Sequence, residues 1–182
     1  MREKVSLLML GLILCCAACG NGPAKGEKAM TLNLSSKSFA SGENIPQQYT
    51  CDGADLSPEL HWTEPPARTK SFALIADDPD APVGTWVHWV LFNLPADARS
   101  LSESVPRKDI LESGAVQGRN DFGRIGYGGP CPPPGKPHRY FFKLYALDSA
   151  VNLKSDATKS DLARAMKGHI LVQSEFMGRY GR

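Results

Sequence analysis

Two uninterrupted runs of aromatic and β-branched residues, Trp86 to Leu94 (WVHWVLFNL) and Tyr140 to Leu147 (YFFKLYAL), constrain this chain most. Neither contains glycine or proline, and side chains of these shapes suit a pleated, half-buried strand. Ser71 to Ala76 (SFALIA) is a shorter apolar run that reads as a strand buried on both sides. Thr31 to Ser35 alternates, with Leu32 and Leu34 on one face. Ile170 to Tyr180 supplies a further strand, which Gly178 is expected to break. Turn-rich stretches separate these runs: Glu64-Pro65-Pro66, Asp78-Pro79-Asp80-Ala81-Pro82, and Gly128 to Pro137. The spacing predicts a helix over Lys159 to Lys167, with Thr158 as N-cap and Asp161 completing a capping box. Leu162, Ala165 and Met166 share one side of it, and Gly168 ends it. A second, weaker helix is expected after Ser102. Helices do not alternate with the strands, so the expected fold is mainly β: an antiparallel two-sheet β-sandwich with a few short helices.

A chain of 182 residues holds one substantial core and is too short for two ordinary catalytic domains. With 42% hydrophobic and 22% charged residues, it has the balance of a globular protein rather than a disordered one. The 21 basic residues nearly cancel the 19 acidic ones, so the charge that a nucleic-acid groove requires is missing.

Residues 1–18 read as a signal peptide of the lipoprotein type. Arg2 and Lys4 form a basic head, and the apolar run from Val5 to Ala18 is too short for a comfortable bilayer span. The small residues Ala17 and Ala18 before Cys19 look like a bacterial lipobox, which makes Cys19 the expected lipidation site. Cys16 departs from the leucine usual there, so ordinary cleavage and a secreted or periplasmic product is the alternative. Residues 19–30 are small and polar enough for a flexible tether, leaving 31–182 as the folded domain. The expected location is the bacterial cell envelope, with a membrane contact made through the lipid anchor. Cys51 and Cys131 then remain in the fold. An oxidising compartment allows them one disulfide, and two buried free thiols are the other reading.

Several familiar catalytic signatures are missing. There is no phosphate loop, no dinucleotide-binding glycine spacing, no Gly-x-Ser-x-Gly elbow and no His-Glu-x-x-His. What stands out is polar chemistry at apolar or proline-locked positions. His88 interrupts a strand, and period-two alternation sets Trp86, His88 and Val90 on one face. His138 and Tyr140 share a face by the same rule. Asp78 and Asp80 flank Pro79 immediately after the SFALIA run, held by prolines of fixed φ.

Taken in order, Asp78-Pro79-Asp80-Ala81-Pro82, Trp86-Val87-His88, Gly128-Gly129-Pro130 and His138-Arg139-Tyr140 resemble the phosphatidylethanolamine-binding protein family, in its bacterial Raf-kinase-inhibitor-like branch. Tyr49-Thr50-Cys51-Asp52-Gly53, Ser57-Pro58 and Asn120-Asp121-Phe122-Gly123 fit the same branch, and the resemblance spans about Thr31 to Tyr180. It implies a small anion-accepting surface pocket holding Asp78, Asp80, Pro82, Trp86, His88, Gly129, Pro130, His138 and Tyr140. The donors for a phosphate oxygen are then expected from a histidine nitrogen, the Tyr140 hydroxyl and backbone N–H groups freed at the glycine turns. Asp78 cannot attract an anion itself. Its expected part is to accept a hydrogen bond from a histidine and fix the tautomer. Arg139 falls on the opposite face from His138 and reads as a structural ion pair, while His61 and His169 read as surface or structural residues.

The leading functional expectation is non-catalytic binding of a phosphate-bearing small ligand or phospholipid head group. No catalytic residue, metal site or cofactor is expected. The alternative is an inhibitor of a protein partner, kinase- or protease-inhibitor-like, acting through another surface. A metal-dependent hydrolase built on His88, His138, Asp78 and Asp80 is the third class, and no nucleophile supports it. Analogy with bacterial relatives also leaves a homodimer open.

Overall fold

The computed structural model describes residues 31–182, so the signal peptide, Cys19 and the tether lie outside the described residues. Among the described residues, eight strands and one α-helix follow the order β1 (Leu34–Ser35), β2 (Leu60–Trp62), β3 (Ser71–Asp78), β4 (Trp86–Pro95), β5 (Ser100–Leu101), β6 (Val116–Gln117), β7 (His138–Leu147), α1 (Lys159–Met166) and β8 (Ile170–Tyr180), with one turn of 3-10 helix at Gln47–Tyr49 between β1 and β2. They form a small sheet, β1-β2-β5, and a large one, β6-β4-β3-β7-β8. Every paired strand within them is antiparallel. The expected mainly β, two-sheet architecture is the one observed.

β3 lies in the middle of the large sheet and all 8 of its residues are buried. Alternation divides them cleanly. Phe72, Leu74 and Ala76 enter the core between the sheets, together with Leu60 and Trp62 of β2 and Phe142 and Leu144 of β7. Ala73 and Ile75 face the other way, into a second cluster with Leu162 and Met166 of α1. Burying a side chain of this size fully is worth about 1.5–3 kcal/mol, so two covered faces make β3 the natural anchor of the fold. The same alternation separates the adjacent carboxylates at its end. Asp77 joins the helix side, where Lys143 Nζ at 2.8 Å and Lys159 Nζ at 2.5 Å neutralise it. Asp78 joins the sandwich side.

α1 forms as expected, with the Thr158–Asp161 capping box made in both directions. Gly168, at φ +85°, takes the left-handed conformation just past the helix end. Two other expectations need correction. No helix follows Ser102. Ser104 has φ 59°, and its N–H donates to the Ser57 carbonyl while the Val105 N–H donates to Ser57 Oγ, so these donors are held by a distant segment. Nor does Gly178 break β8, which runs unbroken from Ile170 to Tyr180. A Cβ there would stand 2.5 Å from atoms of Phe39 and Ile45, so the glycine makes room for core side chains.

The face assignment in β4 also changes. Trp89 pairs with Ala76 and Val87 with Asp77, which leaves His88 as the extra residue of a β-bulge. Val90 consequently turns to the helix-side cluster with Val87, away from Trp86 and His88. A second irregularity, with Asn93 at φ 57°, again reverses the phase, so that Phe92 faces the helix side and Leu94 the sandwich core.

Candidate ligand-binding site

Antiparallel pairing brings the end of β3, the start of β4 and the start of β7 to one edge of the sandwich. A cavity of about 220 Å³ opens there, lined among others by Asp78, Pro82, Trp86, His88, His138 and Tyr140. These six sequence-selected residues come from three strands and one loop, and the fold brings them together. Ala81, Val83, Phe122, Cys131, Pro132 and Pro133 complete the lining.

Each polar wall residue has a defined partner or a defined lack of one. His138 Nδ1 donates to Asp78 Oδ2 at 2.8 Å, and Asp78 Oδ1 accepts the Asp80 backbone N–H at 2.8 Å. The carboxylate thus holds the histidine ring from below and the proline turn from the side. His88 Nδ1 donates to the Gly128 carbonyl at 2.6 Å. Its ring sits edge-on to Phe122 and Tyr140, at centroid distances of 5.4 and 5.1 Å. Burial lowers the His88 pKa below its usual value, partly opposed by the Gly128 carbonyl and the Asp78 charge, so the ring is held neutral. Burial, reinforced by Asp78, raises the Tyr140 pKa far above its ordinary value, so its hydroxyl keeps its proton. Tyr140 Oη and Trp86 Nε1 are both buried and have no hydrogen-bond partner among the described residues.

Asp80, Gly129 and Pro130 do not line the cavity, and each instead supports it. Asp80 takes a two-point ion pair from Arg139, with Nε at 2.8 Å and Nη2 at 2.7 Å. That pair lowers the Asp80 pKa to about 2. Arg139 is therefore in the structural ion pair that alternation implied. The glycine turns offer the cavity no free donors: Gly128 N–H donates to the His88 carbonyl and Gly129 N–H to Asp55 Oδ1. The expected backbone donors are used within the protein, because the 128–130 segment is fastened to its neighbours at every N–H it has.

That fastening continues on both sides. Cys51 and Cys131 form a disulfide with Cα atoms 5.4 Å apart, and Cys51 N–H donates to the Pro130 carbonyl. Tyr127 Oη donates to the Tyr49 carbonyl, and Arg182 Nε to the Pro132 carbonyl. The free-thiol alternative is thereby set aside, and Cys131 itself becomes part of the cavity wall. Phe122, from the Asn120-Asp121-Phe122-Gly123 segment, joins the wall although the sequence pattern alone does not mark it as a site residue. Asn120 builds that loop: its Oδ1 accepts the N–H groups of Phe122 and Arg124, and its Nδ2 donates to the Gly126 carbonyl. The loop then sets Phe122 edge-on to Trp86. His61 and His169 stand apart, paired with Glu59 and Asp148.

Comparison with known proteins identifies a family along nearly all of the described chain. The family described as phosphatidylethanolamine-binding protein matches residues 35–181. The UPF0098 protein of Methanothermobacter thermautotrophicus is 50% identical over 151 residues, covering 83% of this chain and 99% of its own length. Its counterpart in Aquifex aeolicus is 50% identical over 153 residues, covering 83% of this chain and 89% of the relative. Among solved structures, E. coli YbcL, described as a member of the mammalian PEBP family, superposes with a TM-score of 0.79 at 36% identity, over 84% of this chain and 99% of its own. A phosphatidylethanolamine-binding protein homologue from Chlamydia trachomatis gives 0.77 at 39% identity, over 84% and 98%. With a family match over nearly all the described residues and half the aligned residues shared with the Methanothermobacter and Aquifex proteins, this chain belongs to the phosphatidylethanolamine-binding protein family.

Proposed function

We propose that this protein binds a phosphorylated or otherwise anionic small ligand in the cavity at the edge of its sandwich, without converting it chemically. Family membership supports a role in binding a ligand or a partner in general. The observation that carries the finer reading is the pair of unpartnered buried groups on the wall, Tyr140 Oη and Trp86 Nε1. A buried polar group left unpaired costs about 1–3 kcal/mol, so a guest rich in acceptor oxygens relieves both. His138 adds its Nε2, which donates to the guest when the ring carries both protons, since Nδ1 is committed to Asp78. A volume of about 220 Å³ suits a phosphoryl group or a head group and is too small for acyl chains.

Calorimetry of the full-length chain with inorganic phosphate and phosphoethanolamine tests the reading. Tyr140→Phe is expected to weaken binding about fivefold to tenfold, the worth of one hydrogen bond, and His138→Ala to weaken it further. No binding by the folded wild type overturns the reading.

The same chain is read as an exported lipoprotein anchored through Cys19 to the cell envelope, on the strength of its basic head, short apolar run and small residues before that cysteine. Labelled palmitate should enter the wild type and not Cys19→Ala. Equal labelling of the two excludes this anchor.

A further inference from the structure

The cavity is not a uniform donor site. A carbonyl oxygen only accepts hydrogen bonds, so the His88 nitrogen that meets Gly128 O at 2.6 Å, Nδ1, carries the ring proton. Burial disfavours a second proton on this ring. Nε2 therefore presents a lone pair, and no group among the described residues satisfies it, while the ring lies on the cavity wall between Phe122 and Tyr140.

The charge of the wall points the same way. Asp78 is only 3% exposed and brings a carboxylate to the lining. The lining contains no lysine or arginine, because Arg139 turns outward to Asp80. The basic side chains of the lining are two histidines: burial disfavours charge on His88, and His138 is already hydrogen-bonded to Asp78. An anion with no proton of its own meets the His88 lone pair head-on and the Asp78 charge close by. A phosphoryl group bearing one P–OH meets neither problem: its hydroxyl donates to Nε2, and its bare oxygens accept from Tyr140 Oη and Trp86 Nε1.

Resting on the binding reading above, we propose that the cavity selects a phosphoryl group that retains a proton, as free phosphate or a phosphomonoester does, with His88 Nε2 accepting the hydrogen bond from its P–OH. Phosphodiesters and sulfate have no such proton. A site built to satisfy a polar hydrogen discriminates strongly against analogues that lack it, because its own acceptor is then left unpaired.

The test is calorimetry of the full-length chain at pH 6 with four probes: inorganic phosphate, methyl phosphate, dimethyl phosphate and sulfate. Binding of one or both proton-bearing probes, with the other two weaker by about 10- to 100-fold, is expected, and the tighter of phosphate and methyl phosphate identifies the source. If sulfate or dimethyl phosphate binds within about threefold of phosphate, this proposal is overturned while the anion site stands. If none of the four binds a folded wild type, both readings fall. Nitrogen NMR of the histidine rings gives a second measurement that needs no variant. His88 Nε2 should be unprotonated in the free protein and shift when phosphate is added, and a protonated Nε2 at this pH overturns the proposal.

Discussion

His138 Nδ1 donates to Asp78 Oδ2 across 2.8 Å, joining the first residue of β7 to the last residue of β3 over 60 positions of sequence. Both side chains project toward the sandwich side because β3 and β7 are in register, with Asp77 opposite Phe141. The contact fixes which ring nitrogen of His138 remains for the cavity. Asp78→Asn keeps the shape, but its amide can turn either an oxygen or an NH₂ toward Nδ1, so the tautomer is no longer set. Phosphate binding measured by calorimetry is expected to weaken about tenfold, the worth of a hydrogen bond to a charged group. Unchanged or tighter binding would mean that the carboxylate does no more than repel the anion.

His88 makes stability depend on pH. Its folded pKa lies below the ordinary 6.5 because of burial. Above that value both folded and unfolded states are neutral at this site. Below it the unfolded chain takes a proton that the folded chain resists, so stability falls as pH drops through the interval between the two pKa values. The slope from one such group is at most about 1.4 kcal/mol per pH unit. Urea unfolding at pH 7.5 and 5 should show the loss, and His88→Gln should flatten it. An equal pH dependence in the two proteins assigns the loss elsewhere.

The Asp80–Arg139 pair acts in the same direction, over a lower pH interval. Hydrogen bonds from Arg139 lower the Asp80 pKa to about 2 from 3.8. Its stabilisation is present in full above the unfolded pKa and disappears as pH falls through the folded one. Asp80→Asn is therefore expected to melt below the wild type at pH 5 and to match it near pH 2. A gap that persists in acid would show that the effect is one of packing rather than charge. Solvent screening at this exposed pair keeps the difference small.

Replacing both Cys51 and Cys131 by serine opens a cross-link spanning 80 residues. Loss of such a bridge costs about 2–4 kcal/mol, most of it through the freer unfolded chain. Urea unfolding of the double variant should show that loss. Phosphate affinity should also drop, since Cys131 and Pro132 form one wall of the cavity. Intact affinity in a folded double variant would show that the hydrogen bonds at Gly129, Pro130 and Pro132 hold the wall unaided.

Gly129→Ala tests the close approach of that wall to its support. A Cβ there would lie 2.8 Å from Asp55 Oδ1 and from Thr50 Cα. Part of the obstruction is backbone, so the segment must shift at a cost of about 1–3 kcal/mol. A variant as stable as the wild type would show that the 128–130 segment has slack.

Much of this protein is written locally. The uninterrupted apolar and aromatic runs mark β3, β4 and β7, because period-two burial needs only neighbouring residues, whereas the continuity of β8 through Gly178 was not legible there. The Thr158–Asp161 capping box starts α1 for the same local reason. Asp78, Trp86, His88, His138 and Tyr140 were legible as polar groups where an apolar strand has no use for them. Other features depend on partners far along the chain. The bulge that puts His88 on the cavity wall while turning Val90 away exists only in the pairing of β4 with β3. The Gly128 and Gly129 donors are taken by His88 and Asp55, and Cys51 meets Cys131, through loops that no short window of sequence contains. The sequence determined which residues carry polar chemistry and which strands hold them. Only the tertiary structure decided which of their hydrogen bonds are already made and which are left for a ligand, because a donor or acceptor is satisfied by whatever stands within about 3 Å of it in space, however distant in sequence.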